Sequence, residues 1–137
     1  MRKASVLIGI CMLAAVAFAL AAQAPTDLSP IMKDVAATQG KMRMDMMAGS
    51  GADVAADAQK LQQDFTQAMG FFKANKAQDA VDAAKANVDA AGAVAKAAKA
   101  NDMDAAKAAA GTIQKSCKSC HDVHRDGDGK ANPYKFK

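Results

Sequence analysis

Apolar residues return every three or four positions along residues 28–120, in four runs separated by short clusters of Gly, Asn, Asp and Lys. That period is the one-faced pattern of an amphipathic helix, and no strand-like alternation interrupts it. The first run opens at DLSPIMKDV, where Ser29 can cap and Pro30 suits the first helical position. Leu28, Met32, Val35, Met42 and Met46 carry its seam to the GSG break at 49–51. The second run, Asp53 to about Ala74, uses Val54, Ala58, Leu61, Phe65, Met69 and Phe72 and ends at ANK. The third, about Ala77 to Ala100, uses Val81, Ala84, Val88, Ala91, Val94 and Ala98. The fourth follows AND, with Asn101 as the expected cap and Asp102 and Asp104 in the favourable first turn. Its seam is Met103, Ala106, Ala110, Ile113, Cys117 and Cys120.

Helices of about twenty residues joined by loops of a few residues become antiparallel neighbours. The expected fold is therefore all-α, an up-down-up-down four-helix bundle. Residues 77–110 are low in complexity, yet Ala and Lys are strong helix formers and the seam persists through them. The core is thin, because the chain has no Trp and Ala fills much of the seam. At about 25 cal/mol per Å² of apolar surface, a small bundle of this kind is marginal alone, and a large apolar group would complete it.

The start of the chain is of another kind. Arg2 and Lys3 precede an apolar run that closes on Ala22-Gln23-Ala24, the layout of a Sec-type signal peptide cleaved after Ala24. The run is short for a membrane span, so residues 25–137 are expected as one exported, periplasmic domain with no membrane anchor. Cleavage removes Cys11 and leaves Cys117 and Cys120, a pair too close in sequence to staple a fold. It also removes two of the 18 Lys and Arg, leaving 16 against 14 acids, every one of them Asp. Charges this evenly spread form no basic stripe, which argues against a nucleic-acid partner.

The pair belongs to KSCKSCHDVHR, where His121 directly follows Cys120. C-x-x-C-H is the attachment signature of c-type haem: two thiols form thioethers and the imidazole binds iron. The spacing works on a helix because Cys117 and His121 are one turn apart while Cys120 lies on the adjoining edge. Two other readings use the same residues. A thioredoxin-like redox pair normally opens a helix within a chain rich in strands, and this pair sits near a helix end. A zinc site from Cys117, Cys120, His121 and His124 requires four ligands on eight contiguous helical residues to converge, which a straight helix does not allow. One covalent haem c is the expected cofactor.

In its length, its four amphipathic segments, and its Cys117, Cys120, His121 and Arg125, the chain resembles cytochrome c′ and its class II relatives. The resemblance covers the whole mature chain, and the haem motif is its specific part. It implies a four-helix bundle with haem near one end, either five-coordinate or with methionine as sixth ligand, and often a homodimer through helices one and two. SPIMKDV also resembles the helix-one stretch that supplies methionine in the six-coordinate relatives. Bundle geometry agrees, since the start of helix one lies beside the end of helix four. Met32 is the only methionine in those first turns, and Met42 is about 15 Å further along the axis. A register that brings Leu28 or Val35 over the iron instead leaves the site open.

His124, on the same helix as His121, cannot reach the opposite haem face and reads as a partly exposed polar residue. It stands where many relatives have Tyr or Phe. Arg125 either packs on the proximal side or reaches a haem propionate. MRMDMM at 42–47 has the Met-x-Met spacing that suits Cu(I), but Met42 and Met46 fit the seam. DGDGKANPYKFK imitates a calcium loop without the required Gly and Glu, and reads as a tail that packs Tyr134 and Phe136 on the bundle. Two functions remain. One is a carrier of single electrons between redox partner proteins, and the other is a five-coordinate protein binding NO or CO. An enzyme is not expected, because no acid, base or nucleophile is seen to converge on a distal cavity.

Overall fold

A computed structural model of the chain describes residues 24–125 and residue 136. The expected signal peptide up to residue 23, Tyr134 and the calcium-loop-like stretch before Phe136 lie outside the described residues. Four helices follow in order: α1 (Ser29–Ala48), α2 (Gly51–Ala74), α3 (Gln78–Lys99) and α4 (Met103–His124). Among the described residues there is no strand, only an isolated bridge between Arg125 and Phe136. No helix among them is long and apolar enough to cross a membrane.

Two helix starts differ from expectation. Met32 N–H already bonds Leu28 O at 3.0 Å, so the cap of α1 is Leu28, one residue before the expected Ser29, which is itself helical. Asp27 Oδ1, not the Ser29 hydroxyl, accepts the Ser29 N–H at 2.9 Å. At α4 the cap is Asp102, whose side chain accepts from Ala105 N–H at 3.0 Å. Asn101 instead takes the left-handed turn at φ 56°, a conformation that asparagine tolerates. The end of α1 follows its sequence signal: Gly49 at φ 73° turns the chain while Ser50 N–H returns to Asp45 O at 3.0 Å.

Consecutive helices pack antiparallel. Lys41 on α1 meets Asp57 on α2 at 3.1 Å, and Lys60 on α2 reaches back to Asp34 at 3.4 Å. Gln62 Nε2 on α2 donates to Val88 O on α3 at 3.3 Å, and Ser116 Oγ on α4 donates to Ala83 O at 3.2 Å. Packing is closest between α2 and α3, then α3 and α4, then α1 and α2, whereas α1 and α4 hardly touch. Leu61, Val54, Val94 and Ile113 are fully buried at the centre. Alanine lets the backbones close in: at Gly51 of α2 a Cβ would stand 2.7 Å from Ala98 O of α3. Met32, Met69 and Val88, expected in the seam, are only partly buried, while Ile31, Ala68 and Phe71 are buried in addition to it.

Candidate functional site

The space that α1 and α4 leave between them is a cavity of about 490 Å³. That lies inside the usual range for cofactor and ligand pockets, about 300–1,000 Å³. From α4 it is lined by Cys117, Cys120, His121, His124 and Arg125, and from α1 by Leu28, Met32 and Val35 among others. Phe65 and Phe72 of α2, Ala84 and Asn87 of α3, and Phe136 from the tail complete it. The motif on α4 and the early methionine of α1 thus face one largely apolar space. Met42 does not line it; that residue borders a second, smaller cavity of about 290 Å³ further along the same seam, with Met46 and Met47.

One contact sets the α1–α4 register: Gln39 Nε2 lies 3.9 Å from Cys117 Sγ. From that level Met32 lies seven residues back along α1, roughly 10 Å, and His121 four residues on along α4, roughly 6 Å. The helices run antiparallel, so both steps go the same way, and the two residues differ in level by about 5 Å. Val35 shares the level of His121 more closely, but its side chain is buried in the core.

The thiols are free. Burial pushes Cys117 up, against the opposing pull of hydrogen bonds from Gln39 and Asn87. Cys120 is pushed up to about 11, by burial first and then by the charges of Asp79 and Cys117. Both are therefore protonated at neutral pH, the reverse of a redox-active pair, whose attacking thiol is held low. His121 is exposed at its outer side, yet the protein packed around it disfavours its cation; that desolvation, then the Arg125 charge, lowers its pKa, with Asp122 opposing. A neutral imidazole is the form that binds metal.

His124 turns away from this chemistry. Its Nε2 lies 2.8 Å from Asp79 Oδ2 on α3, and its ring stacks on Phe136 at 5.0 Å. Phe136 in turn packs edge-on against Phe71 at 5.4 Å, so that part of the tail does fold back on the bundle. Arg125 caps α4, and its Nε is buried beside the cavity with no hydrogen-bond partner among the described residues. Among the described residues no three His, Cys, Asp or Glu side chains gather to hold a metal ion.

A covalently held haem would require two thiols, an imidazole and an apolar surround from these residues. Two protonated thiols and a neutral imidazole share one helix face, apolar groups surround them, and an unpartnered guanidinium donor stands at the edge where a carboxylate would satisfy it. The donor set fits the group. Sequence reasoning missed Gln39, Asn87 and Asp79. Asn87 alone carried a signal, as a carboxamide on the apolar stripe between Ala84 and Ala91. No family model, characterised protein or solved structure matches the chain.

Proposed function

We propose that this chain is an exported mono-haem c-type cytochrome that carries single electrons between redox partner proteins of the periplasm. The observation that carries the reading is the shared cavity, in which Cys117, Cys120 and His121 of α4 face Met32 of α1. Cys117 and Cys120 would hold the group by adding their S–H bonds across its two vinyl groups, an addition that needs no oxidant, and His121 and Met32 would supply the nitrogen and sulfur that bind its iron. Bound haem supplies the one-electron Fe(III)/Fe(II) couple, and methionine ligation raises its potential. Arg125 offers its buried Nε to a propionate.

A second reading rests on Leu28 and Val35, which line the same cavity from α1. Were they over the iron, the sixth position would stay open to NO or CO. Absorption spectra of the oxidised and reduced protein, with the pyridine adduct, decide between the two. The carrier is expected to be low-spin with a far-red sulfur-to-iron band, which Met32→Ala abolishes while opening the site to CO and lowering the potential. Met42→Ala is expected to change none of these. A high-spin wild type that binds CO readily overturns the carrier reading, and haem that extracts into acidified solvent overturns covalent attachment.

A further inference from the structure

Cys117 and Cys120 are held differently. Asn87 of α3 donates Nδ2–H to Cys117 Sγ at 3.7 Å, and Gln39 of α1 donates to the same sulfur at 3.9 Å. Cys120 Sγ has no hydrogen-bond partner among the described residues. Asn87 is 4 % exposed, and among the described residues its Oδ1 has no partner. On a stripe of Ala and Val, an apolar side chain of the same size would fill this place without stranding a buried oxygen. What the carboxamide offers in return is its contact with the sulfur.

We propose that Asn87, assisted by Gln39, is a positioning residue for the attachment site, which aims Cys117 Sγ and favours the reduced state of the centre bound there. The inference rests on the cytochrome reading and adds residues to it. A sulfur keeps its lone pairs when its S–H becomes S–C, so both donors retain their acceptor after attachment. An N–H aimed at that sulfur would draw electron density through the C–S bond from the macrocycle's edge, and an electron-poor macrocycle favours Fe(II). Hydrogen bonding just beyond the ligands is one of the levers by which a protein sets a haem potential.

The test is Asn87→Leu in the holoprotein, measured by redox titration, by spectrum and by denaturant midpoint. The equilibrium constant for reduction is expected to fall roughly two- to tenfold, with the Met32 band intact and the midpoint unchanged or higher. Gln39→Leu is expected to shift reduction in the same direction by less. An unchanged reduction equilibrium in Asn87→Leu, with or without a lower midpoint, overturns the inference and leaves the cytochrome reading standing. A wild type without covalent haem overturns that reading itself. If Asn87→Leu fails to load haem, the reduced wild type decides by nitrogen-resolved NMR. Slow exchange of the Asn87 side-chain amide protons supports the contact, and exchange at the rate of exposed Gln63 overturns it.

Discussion

The α2–α3 pair and the α1–α4 pair stand on opposite sides of the same bundle and meet the same Ala-rich sequence differently. Between α2 and α3, small residues face large ones: Ala84 and Ala91 are buried in one core with Leu61, Phe65 and Phe72, and the backbones come within touching distance at Gly51. Between α1 and α4 the backbones stand apart, although α1 brings Leu28, Ile31, Val35, Met42 and Met46 to the core. Gly40 lines one cavity and Gly111 the other, and a Cβ on either would meet nothing within 4 Å. Where α1 stands off from α4 a slot is left, and it carries the motif of Cys117, Cys120 and His121.

The comparison breaks most visibly if the slot is left unfilled. Under the proposed function, a chain with both Cys117 and Cys120 replaced by Ala, which could not attach haem, is expected to unfold at a much lower denaturant midpoint than the wild type. Hydrogen exchange is expected to accelerate in α1 before α2 and α3. Equal midpoints would show that the seam holds without a cofactor. Within the closed side, Leu61→Ala is expected to cost about 2–5 kcal/mol, because Leu61 is fully buried, while the half-buried Met32 loses no more than about 1–2 kcal/mol on truncation. Denaturant titration of the two variants checks that contrast, and a Met32→Ala loss as large as that of Leu61→Ala would remove it.

The glycines sharpen the contrast at a smaller scale. Gly51→Ala drives a methyl onto the Ala98 carbonyl and is expected to cost about 1–3 kcal/mol. Gly111→Ala meets open space within a helix and is expected to stabilise by roughly 0.5–1 kcal/mol. Thermal melts of both variants, with opposite shifts, are the check. The smallest effect is one of pH. The hydrogen bond from His124 holds the Asp79 carboxyl below its ordinary value of 3.8. A depressed carboxyl contributes stability above that ordinary value and loses it as pH falls through the folded one. Asp79→Asn is therefore expected to lower the melting temperature slightly at neutral pH and not at all in strong acid, a difference that melts across pH would reveal.

Much of the architecture was legible because it is local. Periods of three and four placed the first three helices within about two residues of their ends and the start of the fourth, whose seam was read to Cys120 while α4 continues to His124, and the turn at Gly49 followed from GSG. Met32 and the haem motif reach one cavity because antiparallel order alone brings those ends together. What was not legible depends on distances between helices. Nothing in the spacing of Leu28 to Met46 says that α1 stands off from α4, and nothing near Cys117 announces two carboxamides from helices 30 and 78 residues away. The cap at Asp102 was missed for a smaller reason, since it stands next to Asn101, the residue expected to cap, and competes for the same amides.

The gap between α1 and α4 also bears on how the chain reaches its native state. Residues that meet across α2–α3 or α3–α4 are separated by one hairpin, whereas those that meet across α1–α4 are separated by most of the chain. Closing so long a loop is the slowest kind of contact to find, and chains dominated by short-range contacts fold fastest. By leaving its most distant interface unmade, this sequence keeps its contact order low and lets three successive hairpins form as local events. Under the proposed function, a group attached covalently to α4 alone would reach α1 through Met32, so the two ends would be bridged on a bundle that has already formed.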